Sequence, residues 1–286
     1  MSLKLENVSL TLSAGTPFAT DALTNIYLEL QKGQIIGLIG HTGSGKSSLL
    51  QVLAGLEPPS AGQVYLDEMQ LYQTQTNKRL LRQSIGLSFQ YPEHQLFEET
   101  IYKELVFGLK TQELQETEIQ KRIELVLPMF GLDNLSLEQS PFELSGGQMR
   151  RLALASVFIM YPAFLLLDEP VAGLDPRGRK EILEAICSYR KVTGACVLLV
   201  SHSMTDVAQI ADRVLIMSQG QLLCDAPPQE ALTDKAFLES VGLEVPEAYD
   251  FLLQLRANGL NLPLESTLTA EQLYQLLAAY LRKEKI

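Results

Sequence analysis

Residues 34–40 read QIIGLIG, an unbroken apolar strand that empties into a glycine-rich turn. The turn, Gly40-His41-Thr42-Gly43-Ser44-Gly45-Lys46-Ser47, fits the pattern GxxxxGK[ST]. The SSLLQVLAGL that follows carries apolar residues at helical spacing, with a stop expected at Gly55. Strand, glycine turn and helix in that order leave few folds open. The glycines let the backbone wrap closely around phosphate oxygens, and the helix aims its free N–H groups and positive dipole end at the same anion. Lys46 is expected to neutralise charge on β- and γ-phosphates, and the Ser47 hydroxyl to ligate Mg²⁺. Nucleotide contacts are therefore assigned to Gly40, His41, Thr42, Gly43, Ser44, Gly45, Lys46, Ser47 and Ser48.

Further apolar strands are expected at 85–89, 164–167, 196–201 and 214–217. Strands alternating with helices predict an α/β class with a mostly parallel sheet covered on both faces. Residues 2–30 alternate polar and apolar, which predicts antiparallel strands. Residues 98–160 contain no convincing strand and read as a helical insertion, so a helical subdomain is set at about 91–160. After Pro227-Pro228 the chain changes character: PEAYDFLLQLRANG and TAEQLYQLLAAYLRK read as amphipathic helices, the second opened by capping-box spacing between Thr269 and Gln272. The expected organisation is an ATPase-like domain over 1–229 and a helical appendage over 230–286.

The run FLLLDE at 164–169 is an apolar strand ending in two carboxylates. Ligands of open α/β sheets sit at the carboxyl ends of strands. Asp168 is positioned to hold Mg²⁺ through water, and Glu169, one residue on, to accept a proton from an attacking water. In Leu144-Ser145-Gly146-Gly147-Gln148, Ser145 can cap a helix with Gln148 at the capping-box position, and two glycines bare the backbone. This is a second anion-binding helix start. One γ-phosphate does not need two such sites from one chain, which predicts a dimer. Each nucleotide then lies between one chain's cradle and the other's Ser145, Gly146, Gly147 and Gln148.

With these motifs in view the chain resembles the ABC ATPases over about residues 1–230. The family's motif order is present: the cradle, Gln90 in SFQYPEHQLF, LSGGQ, LLLDEP, Ala172-Gly173-Leu174-Asp175, and His202 in LVSHS. The resemblance implies ATP and Mg²⁺ as cofactors. It also implies a RecA-like, mostly parallel core with an N-terminal antiparallel β subdomain, an inserted helical subdomain and a small C-terminal helical appendage. It implies that Gln90 touches Mg²⁺ or the water and reports nucleotide state to a membrane partner. Asp175 then lies in a loop that crosses to the other subunit, and His202 contacts the γ-phosphate. On residue type alone His202 reads as a satisfied core histidine. His41 occupies a free position of the turn and His94 an exposed one, neither with a role of its own.

GHTGSGKSS, FQYPEHQLFEETIYKEL, LSGGQMRRLALAS and EPVAGLDPRG together resemble the energy-coupling-factor importers of vitamins and metal ions, in the second, A-prime type of their two ATPases. That likeness implies a paralogous ATPase as partner, with a homodimer as the alternative. It further implies a transmembrane scaffold, a substrate-binding membrane subunit, a peripheral place on the cytoplasmic face of the membrane, and an appendage that helps hold the dimer. Two positions depart from the pattern. The aromatic ring usual near Leu12, which stacks on adenine, is missing, and Phe18 is the expected replacement; Val171 stands where Thr is usual, with little consequence expected.

Composition narrows the rivals. A net charge of -11 argues against a nucleic-acid partner, because phosphate contacts need clustered Lys and Arg. The opening MSLKLENVSL lacks the basic start and apolar run of a signal peptide. The uncharged stretch between Arg151 and Asp168 carries Pro162, so it reads as a helix ending near Met160 and a buried strand rather than a membrane span. Cys187, Cys196 and Cys224 are far apart and read as indifferent thiols. A guanine-reading NKxD is absent, since Asn77-Lys78 is followed by Arg79-Leu80. The alternatives within the family are the ATPase of another ABC importer, or a soluble ABC ATPase of DNA repair or translation. The latter usually carries coiled-coil insertions or two cassettes in one chain, and neither is seen.

Overall fold

A computed structural model describes residues 1–72, 80–81, 83–263 and 269–283; the Asn77-Lys78-Arg79 segment lies outside the described residues. In chain order the elements are β1 (Ser2–Leu12), β2 (Thr20–Gln31), β3 (Ile35–Ile39), α1 (Lys46–Leu53), β4 (Ala61–Leu66), β5 (Met69–Gln70) and β6 (Ile85–Ser88). Then follow α2 (Ile101–Phe107), α3 (Glu116–Met129), α4 (Gly146–Phe158), β7 (Phe164–Asp168), α5 (Pro176–Thr193), β8 (Cys196–Val200), α6 (Met204–Ile210), β9 (Arg213–Ser218) and β10 (Gln221–Ala226). Four helices close the chain: α7 (Pro228–Ala231), α8 (Lys235–Ser240), α9 (Glu247–Ala257) and α10 (Ala270–Lys283).

The strands form two sheets, a four-stranded one in the order β2-β1-β4-β5 and a six-stranded one in the order β10-β9-β3-β8-β7-β6. The larger sheet is parallel except for β10, which pairs antiparallel with β9 at its edge. Its central strands β3, β8 and β7 are almost wholly apolar because both faces are covered. Along β7, Leu165 and Leu167 enter the core shared with the helical insertion, while Phe164 and Leu166 enter the core shared with the antiparallel sheet and α1. The period of two thus divides one strand between two cores.

Residues 98–160 contain no strand, as the sequence predicts, and α2, α3 and α4 pack on one face of the parallel sheet. Helix α4 ends at Phe158, two residues before the expected stop near Met160. Met160 N–H and Tyr161 N–H turn back to Val157 O and Phe158 O, and Tyr161 takes a left-handed φ of 52° before Pro162. Among the described residues no helix is long and apolar enough to cross a membrane.

Three short strands, β4, β5 and β10, and the helices α7 and α8 are additions to the sequence reading. The C-terminal helices share a third core with the sheet: Leu232, Leu238, Tyr249, Leu252 and Leu273 pack with Ile39, Val207, Val214 and Ile216. Thr269 and Gln272 form the expected capping box, with Thr269 N–H donating to Gln272 Oε1 at 3.0 Å and Gln272 N–H to Thr269 Oγ1 at 3.3 Å. All three cysteines are free thiols, and burial pushes Cys196 up to about 12.

Candidate functional site

In the order β3-β8-β7 the sheet sets three strand ends side by side, and each feeds one part of the site. Gly40 follows β3, Asp168 ends β7, and His202 follows β8 by two residues. The convergence is a consequence of parallel pairing, which puts all carboxyl ends on one edge.

The turn after β3 is wedged between both sheets. A Cβ on Gly45, whose φ is 103°, would lie 2.6 Å from Ala22 O of β2, and one on Gly40 would lie 2.3 Å from Met217 O of β9. Gly220 N–H donates to Ser44 O at 3.0 Å, and Thr24 N–H to Gly220 O at 2.8 Å. His41 lies between Thr42 O, 2.7 Å from Nδ1, and Ser218 Oγ, 3.4 Å from Nε2. Lys46 threads its side chain back into the turn, where Nζ donates to Gly40 O at 2.8 Å and His41 O at 2.9 Å. Burial pulls the Lys46 ammonium below its usual range, against the opposing pull of Glu169 and Asp168. Helix α1 has no side-chain cap, so its first N–H groups face the turn unclaimed by a side chain. Thr42, Gly43 and Ser47 are exposed, and Ser48 is half-buried.

Opposite this turn, Ser47 Oγ donates to Asp168 Oδ2 at 3.1 Å. Burial pushes the Asp168 carboxyl above the usual carboxylate range, more than the Ser47 hydrogen bond lowers it. The neutral form is therefore the one the fold favours. That contribution is complete below the ordinary carboxylate pKa and is lost as pH rises through the raised folded value. Asp168→Asn is expected to raise the melting temperature of the nucleotide-free chain by about 2 °C at pH 8, because it removes a charge that burial disfavours. Scanning fluorimetry across pH should show the gain shrinking towards acid; a variant melting lower than its parent at pH 8 contradicts this.

Glu169 stands one residue beyond β7 with a left-handed φ of 50°, its N–H donating to Val200 O at 3.1 Å. This aims its carboxylate, 15% exposed, between two elements. Oε1 is 2.6 Å from His202 Nε2, and Oε2 accepts from Gln90 Nε2 at 3.1 Å. The core-histidine reading of His202 is corrected here: its side chain is 50% exposed and holds the carboxylate. Gln90 is exposed just past β6, and His94 is exposed as expected, stacked on Tyr91 with ring centroids 5.9 Å apart.

The capped helix start at Ser145 is also formed. Ser145 N–H donates to Gln148 Oε1 at 3.0 Å, and Gln148 N–H donates to Ser145 Oγ at 3.4 Å, a complete capping box. Ser145, Gly146 and Gly147 are exposed, and a Cβ on either glycine would meet nothing within 4 Å. No hydrogen bond or ion pair among the described residues joins this tip to the turn after β3. Asp175 caps α5, its carboxylate accepting from Gly178 N–H at 3.0 Å. Phe18 lies between β1 and β2, 82% exposed, with no ring contact among the described residues. One residue of the site escaped the sequence reading. Arg150, 4% exposed, donates to the carbonyls that follow β7, and in sequence nothing sets it apart from its neighbour Arg151.

The profile of the ABC transporter family matches residues 23–172. The chain is 45% identical over 273 residues to the energy-coupling factor transporter ATP-binding protein EcfA2 of Clostridium tetani, covering 95% of this chain and 94% of that one. Among solved structures it is similar to cbiO1 from Clostridium perfringens, part of the ABC transporter complex cbiONQ, with a TM-score of 0.73, 33% identity, and coverage of 84% and 94%. It is also similar to a dimeric ATP-binding cassette in a post-hydrolysis state bound to ADP and Pi, with a TM-score of 0.68, 27% identity, and coverage of 79% and 98%. Sequence and fold agree, and the chain belongs to the ABC transporter family, in its energy-coupling factor branch.

Proposed function

We propose that this chain is the ATP-binding and hydrolysing subunit of an energy-coupling-factor importer, and that its ATP is held between its own cradle and the Ser145 tip of a mate. The observation that carries the shared site is the tip itself. Two glycines stand there at a capped helix start with open space around them, so the chain's own packing does not call for them. A ligand approaching from outside does, because only bare backbone lets phosphate oxygens reach the first N–H groups.

The donor set suits Mg²⁺. The Ser47 hydroxyl, the Asp168 carboxylate and the Gln90 amide are oxygen donors of the kind a small hard cation takes. When bound with the nucleotide, Mg²⁺ supplies positive charge against the β- and γ-phosphate oxygens. The chain's own groups do the rest. Residues 40–48 cradle the phosphates, Lys46 offers a cation to the γ-phosphate, and Phe18 stacks on adenine. Glu169 accepts the proton of the attacking water, oriented by Gln90 on one oxygen and His202 on the other. His202 then contacts the γ-phosphate, and Asp175 sits where the two chains meet. Hydrolysis separates negative charge in the interface and reopens it.

The mate is a paralogous ATPase, with α9 and α10 adding to the dimer contact. Exposed Tyr91, next to Gln90 in the chain, and the exposed edge-to-face pair Phe97 and Phe107 receive short helices of a transmembrane scaffold, which works with a substrate-binding membrane subunit. The chain thereby sits on the cytoplasmic face of the membrane as a peripheral subunit.

Ser145→Arg tests the shared site. The bulky cation fills the tip without touching the cradle of the same chain. Turnover of the assembled ATPase is expected to fall about thirty-fold, while binding of a fluorescent ATP analogue to the isolated chain stays at the parent value. Full turnover in this variant, or activity that persists in a chain shown by sedimentation to be monomeric, would sink the reading.

A further inference from the structure

Arg150 gives its whole guanidinium to one loop. Nε donates to Pro170 O at 2.9 Å, Nη1 to Ala172 O at 2.7 Å, and Nη2 to Glu169 O at 3.0 Å. Nη1 also lies 3.7 Å from Glu93 Oε1, and the guanidinium stands over the Tyr91 ring at 5.8 Å. Three segments of the site therefore meet on one buried cation: the second turn of α4 behind the Ser145 tip, the loop that carries Glu169, and the turn after Gln90.

The chemistry of the contact is specific. A planar fork of fixed N–H donors can serve three carbonyls that point from different directions, whereas an ammonium cannot keep all three directions. Glu169 needs such restraint, since its φ of 50° lies in a region costly for a residue with a Cβ. Its N–H is fixed by Val200 O, and its C=O accepts from Arg150 Nη2 at 3.0 Å and from Ala172 N–H at 3.2 Å, so the guanidinium is the charged donor on that carbonyl. Without the guanidinium, Glu169 O keeps only the neutral Ala172 N–H, and Pro170 O and Ala172 O lose their shared donor, so the loop relaxes and carries the carboxylate away from Gln90 and His202.

We propose that Arg150 is a positioning residue for hydrolysis: it holds the 169–172 loop so that the Glu169 carboxylate stays aimed at the attacking water, and it ties that loop to the helix whose tip meets the mate's nucleotide. The proposal rests on the reading of Glu169 as the general base. Arg150 itself touches no reacting atom.

The test uses the full-length chain in its assembled ATPase, with Arg150→Lys and Arg150→Gln each made alone and with Glu169→Gln. Arg150→Lys is expected to lower kcat about ten-fold and Arg150→Gln about thirty-fold, with KM for ATP within about two-fold, because misplacing a catalytic group by a fraction of an ångström acts on turnover and not on binding. Residue loss that only loosens the fold lowers yield and melting temperature but leaves kcat per folded chain unmoved. In the Glu169→Gln background, single-turnover hydrolysis should fall no further, because Arg150 acts through the group already removed. Unchanged kcat per folded chain in both single variants, a KM that rises by the same factor as kcat falls, or losses that multiply in the double variants would each overturn the proposal. A parent-level rate in Glu169→Gln alone overturns the general-base reading and the proposal with it, and it is seen in a chain whose Arg150 is intact.

Discussion

Replacing Glu169 with glutamine is expected to lower ATP turnover about a thousand-fold while leaving ATP binding within about two-fold of the parent. The asymmetry follows from what the side chain touches. Its carboxylate is engaged by His202 on one oxygen and Gln90 on the other, and no hydrogen bond or ion pair among the described residues joins it to residues 40–48, the proposed phosphate cradle. Glutamine has the same shape, its carbonyl oxygen still accepts from Gln90, and its amide donates to a neutral imidazole. The loop stays in place and only the basic lone pair is lost. On the proposed cycle, in which hydrolysis reopens the interface, the variant should accumulate as the ATP-bound dimer. Phosphate release and sedimentation in ATP report both effects on one sample. Turnover at the parent rate, or a dimer no more populated than in the parent, contradicts the assignment.

Lys46→Ala is expected to weaken ATP binding more than a hundred-fold, the value of losing charge-assisted contacts in a buried setting. An ammonium has three N–H donors. Two are held by Gly40 O and His41 O, which leaves the third free and fixes the position from which it points. The cation is thus oriented before the anion arrives. The same substitution leaves two carbonyls of the turn without that donor, so melting temperature should fall as well. Titration with a fluorescent analogue well below the melting transition separates the two effects. Affinity within three-fold of the parent at that temperature would remove Lys46 from the phosphate site.

The parts of this molecule that announce themselves in the sequence are those with little freedom to be anything else. Strands β3, β7 and β8 are buried on both faces, so IIGLI, FLLLD and CVLLV read as strands without knowledge of their neighbours. The Ser145 tip is legible because a capping box is a local device. Strands β4 and β10 are harder. In AGQVYL only Val64 and Leu66 are buried, and QLLCDA alternates exposed and intermediate residues, so each owes its state to a strand pairing that a linear pattern does not carry.

Side chains that act across elements are hidden for a related reason. His202 is set apart from an ordinary core histidine only by where the loop after β8 ends, beside Glu169. Arg150 and Arg151 are identical neighbours in sequence, yet successive helical residues point about 100° apart. One therefore serves the loop after β7, and the other reaches Glu181 at 2.6 Å. Nothing in the dipeptide says which is which.

The wedging of the phosphate turn has a mechanical consequence. Ala22 of one sheet, Met217 of the other and the Gly220 hairpin press on it from different sides, and close-packed contacts of this kind resist compression. The cradle is an anvil, stiff and stationary in its own chain. On the proposed two-chain reading, a stiff seat leaves the stroke to the opposing arm, the helical insertion that bears the Ser145 tip.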